Sequence, residues 1–389
     1  MKILVISQRK LLPMTDGALV GSMGLLTYLK DLGHCVQIVH FIENDKYTSS
    51  ELDQLQKIVE RVHTVPLKWR STALNLSFKY PNSIRKYTRR CFKTKVLKVK
   101  KSFDPDIVII DHLQMFEYSK LFPGMKCILH THNIETSIWR EFSKGKKGLV
   151  KLLLDRNVRL LSQYEANALN SANFVTACSD GDLIGFKKMS PSVNGAVFHS
   201  YIKFPVLKSD EDIEKCKNRL VFVGSYGWFP NQLAAKFLAE ELMPRLRKKI
   251  KGITLVLVGK DPTDEIKSYA QNNSDIIVTG TVPSIDPYLK EADIFINAVN
   301  DGSGINIKII EALGKGVPVV TSFFGTRGLT IRHEVEALVY ETLDSCEEQI
   351  IRLLKDRELA KELSKNGRKC YEFFIKPDSI VENEFSTKN

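Results

Sequence analysis

No stretch of the chain approaches the roughly 18–20 consecutive apolar residues that a membrane-spanning helix needs, so no integral helical membrane protein is expected. Nor does the N-terminus read as a secretory signal. Its apolar run, Ile3 to Ile6, is short and is followed by Arg9 and Lys10. The expected location is therefore cytoplasmic. The seven cysteines are odd in number, widely spaced and without a C-x-x-C pair. That pattern excludes a disulfide framework and a cysteine zinc site, and reads as reduced thiols. Acidic residues are missing altogether between Glu60 and Asp104. Residues 1–200 carry 30 Lys and Arg against 17 Asp and Glu, whereas the rest of the chain carries 27 against 28. The net charge of +12 thus resides in the first half. Such a surface attracts phosphates, acidic headgroups or nucleic acid. Two readings of segment 61–103 stay open: a solvated basic helix face, or contact with an anionic membrane surface or phosphorylated acceptor. No RNA- or DNA-binding motif accompanies the charge, so no nucleic-acid partner is expected.

What is present is an ordinary globular composition, 43% hydrophobic and 26% charged, over 389 residues. That length suggests two domains. The chain opens on a buried-strand pattern, Lys2 to Ser7, then a turn-rich loop through Pro13, Asp16, Gly17 and Gly21. A helix is predicted from about Ser22 to Leu32, closed by Gly33. Apolar strands are predicted at Val36–Phe41, Asp106–Ile110, Cys127–His130 and Asn173–Ala177. The pattern restarts near Arg219. Strands are predicted at Leu220–Gly224, Ile253–Gly259, Asp275–Gly280, Ala292–Ala298, Val317–Ser322 and Ala337–Tyr340, with a long amphipathic helix over Asn231–Lys249. Strand–helix alternation of this kind predicts parallel sheets covered by helices. The polar segment 202–218 reads as a linker between a domain at 1–201 and one at 219–377. Residues 378–389 read either as a frayed tail or as a segment packing back on the first domain.

In parallel α/β sheets, ligands bind at the carboxyl ends of strands. The loop that carries most chemistry is Asp301-Gly-Ser-Gly-Ile-Asn-Ile-Lys308-Ile-Ile-Glu311, which runs from a strand into a helix. Glycines there let backbone N–H groups approach an anion, and the helix dipole adds positive character. Lys308 and Glu311 share a helix face. Lys308 can supply charge to a diphosphate and Glu311 can accept from a ribose diol. An ordinary glycine-initiated helix bearing a surface Lys–Glu pair fits the same residues.

The segment Gly302 to Ser322 resembles the C-terminal signature of family-four glycosyltransferases, and in particular a bacterial subgroup reading G-S-G-x-x-x-K-x-x-E-A-x-x-x-G-x-P-V-V-x-T. Every fixed position is filled except the last, where Ser322 stands. Val223-Gly-Ser-Tyr-Gly-Trp-Phe-Pro-Asn231 resembles the subgroup's glycine loop and W-x-P-N. Leu257 to Pro262 and Val278 to Pro283 resemble its next two turns. In the first half His132-Asn-Ile-Glu135, Tyr164-Glu165 and Ala177 to Asp180 follow its order, and Asp16-Gly17-Ala18 sits where the family has a Gly-Gly pair.

The resemblance implies a GT-B architecture: two Rossmann-like parallel-sheet α/β domains facing a central cleft. It implies a retaining transfer of sugar from a UDP-, GDP- or dTDP-sugar to a glycan or lipid-linked acceptor, in surface polysaccharide or lipopolysaccharide synthesis. No obligatory cofactor and no metal follow from it. By carry-over, Lys308 stabilises the leaving diphosphate and Glu311 binds ribose, with His132 completing the catalytic set. Gly224, Ser225, Lys260, Val282, Gly302, Ser303, Gly304, Ile305 and Asn306 surround the donor, Val282 at the base. Asp16, Gly17, Ala18, Asn133 and Glu135 lie on the acceptor side. An acceptor of this kind implies a peripheral position at the inner face of the membrane. Three departures stand out. Ser303 occupies the position of the first of two family glutamates. Ala18 replaces a glycine. The loop Ser225 to Trp228 lacks the usual Arg, so charge neutralisation falls largely on Lys308. The missing Arg and Ser303 keep a catalytically degenerate subunit as an alternative, and a sugar-nucleotide epimerase of the same fold is another.

Three further features stand out. His130 and His132, with Asp111 and His112 nearby in sequence order, suggest a metal site, but spacing places no third ligand, and strand-end or substrate-contacting histidines are expected instead. Asn231 reads as a helix N-cap. Trp139 and Phe142 followed by Lys146, Lys147 and Lys151 read as either a solvated loop or a second membrane-facing surface.

Overall fold

The computed structural model describes the chain apart from Thr15, residues 44–45, 69–79, Ser200, Ile202, residues 215–216, 302–304, Asp378 and residues 387–389. It divides into two compact units, Met1–Ile202 with Pro377–Asn389, and Lys203–Lys376.

The first unit is built on a seven-stranded parallel sheet: β1 (Lys2–Ser7), β2 (Cys35–Ile42), β3 (Arg61–Pro66), β4 (Ile107–Asp111), β5 (Lys126–His130), β6 (Phe174–Ala177) and β7 (Gly195–Val197). Its spatial order is β3-β2-β1-β4-β5-β6-β7. The second sheet has β8 (Arg219–Val223), β9 (Thr254–Val258), β10 (Ile276–Gly280), β11 (Ile294–Asn297), β12 (Val319–Ser322) and β13 (Leu338–Tyr340), in the order β10-β9-β8-β11-β12-β13. Both are doubly wound: the chain moves outward from the first strand on one side, then returns to its other side. Central strands such as Ile107–Asp111, buried at every position, carry unbroken apolar runs because helices cover both sheet faces. Edge strand β3 mixes exposed and half-buried residues and lacked such a run, which is why sequence periodicity did not reveal it. The three-residue β7 is too short to give a pattern.

Among the helices, α1 (Gly17–Asp31), α2 (Arg90–Phe103), α3 (Glu135–Lys144) and α4 (Gly148–Ser171) belong to the first unit. The second contains α5 (Phe229–Lys236), α6 (Ile307–Gly314) and α7 (Arg357–Phe374). The last helix, α8 (Ser379–Ser386), lies in the first unit. There Val381 and Phe385 are fully buried beside Tyr28 and Phe198. Lys126 pairs with Glu384 at 2.6 Å.

Two helix expectations are corrected. α1 starts five residues earlier than its pattern suggested, because Asp16 caps it by accepting from the Leu19 N–H at 3.2 Å. Three glycines in this helix obscured it. One of them, Gly24, lets the Tyr201 backbone pass so closely that a Cβ would meet its nitrogen at 2.8 Å. The long helix predicted over Asn231–Lys249 instead begins at Phe229, widens to a π-helical turn over Phe237–Leu242 and ends at Leu246. Asn231 is therefore inside the first turn and not the N-cap, which is Trp228 with no side-chain cap bond.

Candidate functional site

Each sheet reverses its winding beside its first strand, and the carboxyl ends there form a crevice where α/β proteins bind ligands. In the second unit those ends are Val223 on β8 and Asn297 on β11. Gly224 follows β8, and a Cβ on it would meet the Asn231 side chain at 3.0 Å. Gly259, after β9, has φ +151°, and a Cβ there would overlap the Gly224 carbonyl. The two strand-end turns thus approach as closely as glycine alone permits.

That approach seats Asn231, which is 2% exposed. Its Nδ2 donates to the Ser225 carbonyl at 2.7 Å. This fixes Oδ1 outward, where it accepts from Lys308 Nζ at 3.2 Å. Lys308 projects from the first turn of α6 and lies 5.7 Å over the Phe222 ring. Burial pushes its ammonium pKa down to about 8, and the Glu311 carboxylate opposes the shift. Among the described residues its oxygen partner is this neutral amide, so the ammonium has charge to offer an anion.

Asn297 organises the entry to α6. Its Nδ2 donates to Thr321 Oγ1 at 3.0 Å and its Oδ1 accepts from Asn306 Nδ2 at 2.9 Å. Asn306 and Ile305 are half-buried at the start of that helix. Gly302, Ser303 and Gly304 lie outside the described residues. Glu311, one turn beyond Lys308, pairs with the buried Lys315, which also reaches Asp286 at 2.5 Å. Ser225, Lys260 and Val282 are half-buried on the neighbouring strand-end turns; Tyr226 N–H donates to the Lys260 carbonyl at 2.9 Å. A cavity lined by Pro230, Leu233, Phe237, Asn300 and Asp301 borders this crevice. Asn231 and Asn297 are the residues that sequence reasoning missed as site builders. Nothing in local sequence distinguishes a capping asparagine from one that orients a lysine 77 positions away.

In the first unit the corresponding strand ends are Ser7 on β1 and Asp111 on β4. Asp111 is 1% exposed. Its Oδ2 accepts from Ser7 Oγ at 2.6 Å and Ser22 Oγ at 2.8 Å, and its Oδ1 faces His132 Nε2 at 2.7 Å. His112 and His132 hold the Asp111 carboxyl well below the usual range, against its burial. Burial lowers the pKa of His132, and takes that of His130 to about 3. His130 Nδ1 is 2.7 Å from Thr176 Oγ1. Asp111, His130 and His132 each bring a potential metal-ligating atom within 4.8 Å of the others. Spacing along one segment placed no third group beside the two histidines; strand pairing brings Asp111 to them from the neighbouring β4.

The acceptor-side candidates split in two. Asp16, Gly17 and Ala18 form the cap and first turn of α1, where Asp16 also pairs with Arg9 at 2.7 Å. Asn133 and Glu135 are half-buried after β5. Glu135 begins α3, whose N-cap position, Ile134, has no side-chain acceptor. Glu165 on α4 supplies it, accepting from the N–H groups of Glu135 at 2.9 Å and Thr136 at 3.0 Å. Burial raises the pKa of both carboxyls.

Residues 217–356 match the family described as Glycosyl transferases group 1. The protein called "Putative glycosyltransferase YtcC" of Bacillus subtilis (strain 168) is 25% identical over 290 residues, covering 70% of this chain and 69% of its own. Among solved structures, Anabaena HepE in complex with UDP and glucose superposes with a TM-score of 0.66 at 14% identity, covering 99% of this chain and 97% of that one. WaaG, a glycosyltransferase involved in lipopolysaccharide biosynthesis, gives a TM-score of 0.66 at 16% identity, with 98% of each chain covered. These matches do not favour an epimerase or a degenerate subunit. Among the described residues no helix is long and apolar enough to cross a membrane. With a group 1 glycosyl transferase domain spanning the Lys308 crevice and a GT-B fold over both units, the chain is a glycosyltransferase.

Proposed function

We propose that the chain transfers a sugar, with retention, from a nucleoside diphosphate sugar to a hydroxyl of a glycan or lipid-linked acceptor, in surface polysaccharide or lipopolysaccharide synthesis. The observation that carries this reading is the buried Lys308 ammonium, held over the Phe222 ring at the switch point with, among the described residues, the neutral Asn231 amide as its oxygen partner. In the reaction the bond from the anomeric carbon to the diphosphate oxygen breaks, and the leaving group keeps the electron pair. The acceptor oxygen bonds to that carbon and loses its proton. Negative charge grows on the diphosphate, and a preorganised ammonium there stabilises the transition state more than the ground state. Glu311 takes the ribose, the turns at Ser225, Lys260 and Val282 take the nucleotide, and the segment 302–306 lines the donor sugar. His132 meets the reacting groups, with Asp16 to Ala18, Asn133 and Glu135 on the acceptor side. UDP, GDP and dTDP sugars are the donor candidates; Anabaena HepE was solved with UDP-glucose.

An anionic membrane surface is the proposed location of the acceptor. Exposed apolar side chains favour the α3–α4 hairpin over helix α2 of segment 61–103 as the contact. Phe142, Leu149, Val150 and Leu152 are each more than half exposed there, among Lys144, Lys146, Lys147 and Lys151. On α2 the apolar residues Phe92, Val96, Val99 and Phe103 are buried, and only Leu97 is exposed.

The test is a thermal-shift panel of nucleoside diphosphates and nucleotide sugars on wild type and Lys308→Ala. A ligand specific for the native state raises the melting temperature. One base is expected to give a shift that Lys308→Ala abolishes. A folded wild type that responds to no nucleotide would overturn the donor-site reading.

A further inference from the structure

Asp111 is a buried carboxylate set among imidazoles. Its carboxylate is 1% exposed, and among the described residues no Lys or Arg pairs with it. Its donors are two serine hydroxyls and the imidazole of His132, with His112 Nδ1 at 3.3 Å from Oδ1. Burying a carboxylate favours a site that brings a cation to it. The surrounding imidazoles have the opposite deficit. Among the described residues the buried His112 and His130 each leave Nε2 without a hydrogen-bond partner. The rings of His112 and His130 lie 4.1 and 4.7 Å from that of His132. His112 also holds φ +78°, a conformation that a non-glycine residue keeps only when its surroundings impose it.

We infer that Asp111, His130 and His132 form a binding site for a divalent transition-metal ion, with Zn2+ the best match to a donor set of two imidazoles and one carboxylate. The cation would supply the charge that Asp111 lacks, and imidazole lone pairs would gain a partner. The Thr176 hydroxyl beside His130 Nδ1 fits the outer hydrogen bond that orients a ligating imidazole. The three ligands come from the ends of β4 and β5 and the loop after β5, and Ser7 and Ser22 tie β1 and α1 to the same carboxylate. Bound metal would therefore clamp the switch point of the first unit. The inference uses residues of that unit alone and does not rest on the donor reading. With Nε2 of His132 turned to Asp111, its Nδ1 is the nitrogen left for substrate.

The experiment strips the full-length chain with a chelator, then titrates it with Zn2+ and with Co2+. One equivalent of Zn2+ retained through gel filtration, visible Co2+ d–d absorption and a raised melting temperature are expected. His130→Gln should weaken Zn2+ binding by at least roughly tenfold, and the near-isosteric Thr176→Val by about 10–100-fold. Thr176→Val keeps the test decisive if His130→Gln does not fold. A folded wild type that retains no ion overturns the site, and so does retention that neither variant weakens. Nucleotide binding at Lys308 is measured on the same samples, so failure of the donor reading is seen separately.

Discussion

Lys308 is the side chain on which the proposed chemistry turns, and its environment makes that chemistry pH-dependent. In the free protein burial holds its pKa near 8. Below that value the ammonium is already charged, and diphosphate binding needs no proton. Above it, binding has to draw a proton from solvent, so affinity falls. The expected profile is flat to about pH 8 and then weakens by roughly tenfold per pH unit until the pKa of the bound state is reached. Calorimetry with a nucleoside diphosphate across pH 7–9.5 reads this directly. A Lys308→Ala variant should give weak, pH-independent binding. Asn231→Ala removes both the Ser225 anchor and the oxygen that faces Lys308. It should lower stability by about 1–2 kcal/mol, seen in urea unfolding, and shrink the nucleotide-induced thermal shift. Lys308 was legible from its place in a motif. Asn231 was visible too, but as a cap, because its partner is far away in the chain.

At the scale of elements, helix starts decide where loops can go. Asp16 lies where sequence resemblance puts an acceptor contact, and the structure gives it a second occupation as the cap of α1. Its replacement by alanine is expected to cost about 1 kcal/mol through lost capping. The α3 start uses a device that no local rule anticipates, a glutamate from another helix. Glu165→Ala leaves two buried N–H groups without acceptors and should destabilise the first unit by about 1–3 kcal/mol. Chemical denaturation followed by circular dichroism measures it. Loss of less than a few tenths would mean that water replaces the carboxylate. Boundaries of α1 and α5 were misread for one reason: glycine content and hydrophobic period describe a segment's average preference, while a cap or a π turn depends on a single residue and what it meets.

For the molecule as a whole, the uneven charge directs attention to the first unit, and among its described residues exposed apolar side chains make the α3–α4 hairpin the proposed membrane contact. The triple variant Phe142→Ser, Leu149→Ser, Leu152→Ser is expected to reduce flotation with anionic vesicles by tenfold or more, since each side chain contributes on the order of 1 kcal/mol when inserted. Changing Lys93 and Lys98 on α2 to serine should have a smaller effect. The reverse ranking would return the surface to segment 61–103.

The sequence by itself determined the two α/β units, most of the central strands and the Lys308 helix. Those features rest on short-range patterns: buried strands need continuous apolar runs, and a strand-to-helix anion loop needs glycines and a cation at fixed spacing. Tertiary structure alone decided the edge strands β3 and β7, the role of Asn231 and Asn297, the Glu165 cap and the convergence of Asp111 with His130 and His132. Each of these joins residues from separate segments through directional hydrogen bonds or charge. Such contacts depend on strand order, and a linear pattern does not encode which strand ends become neighbours.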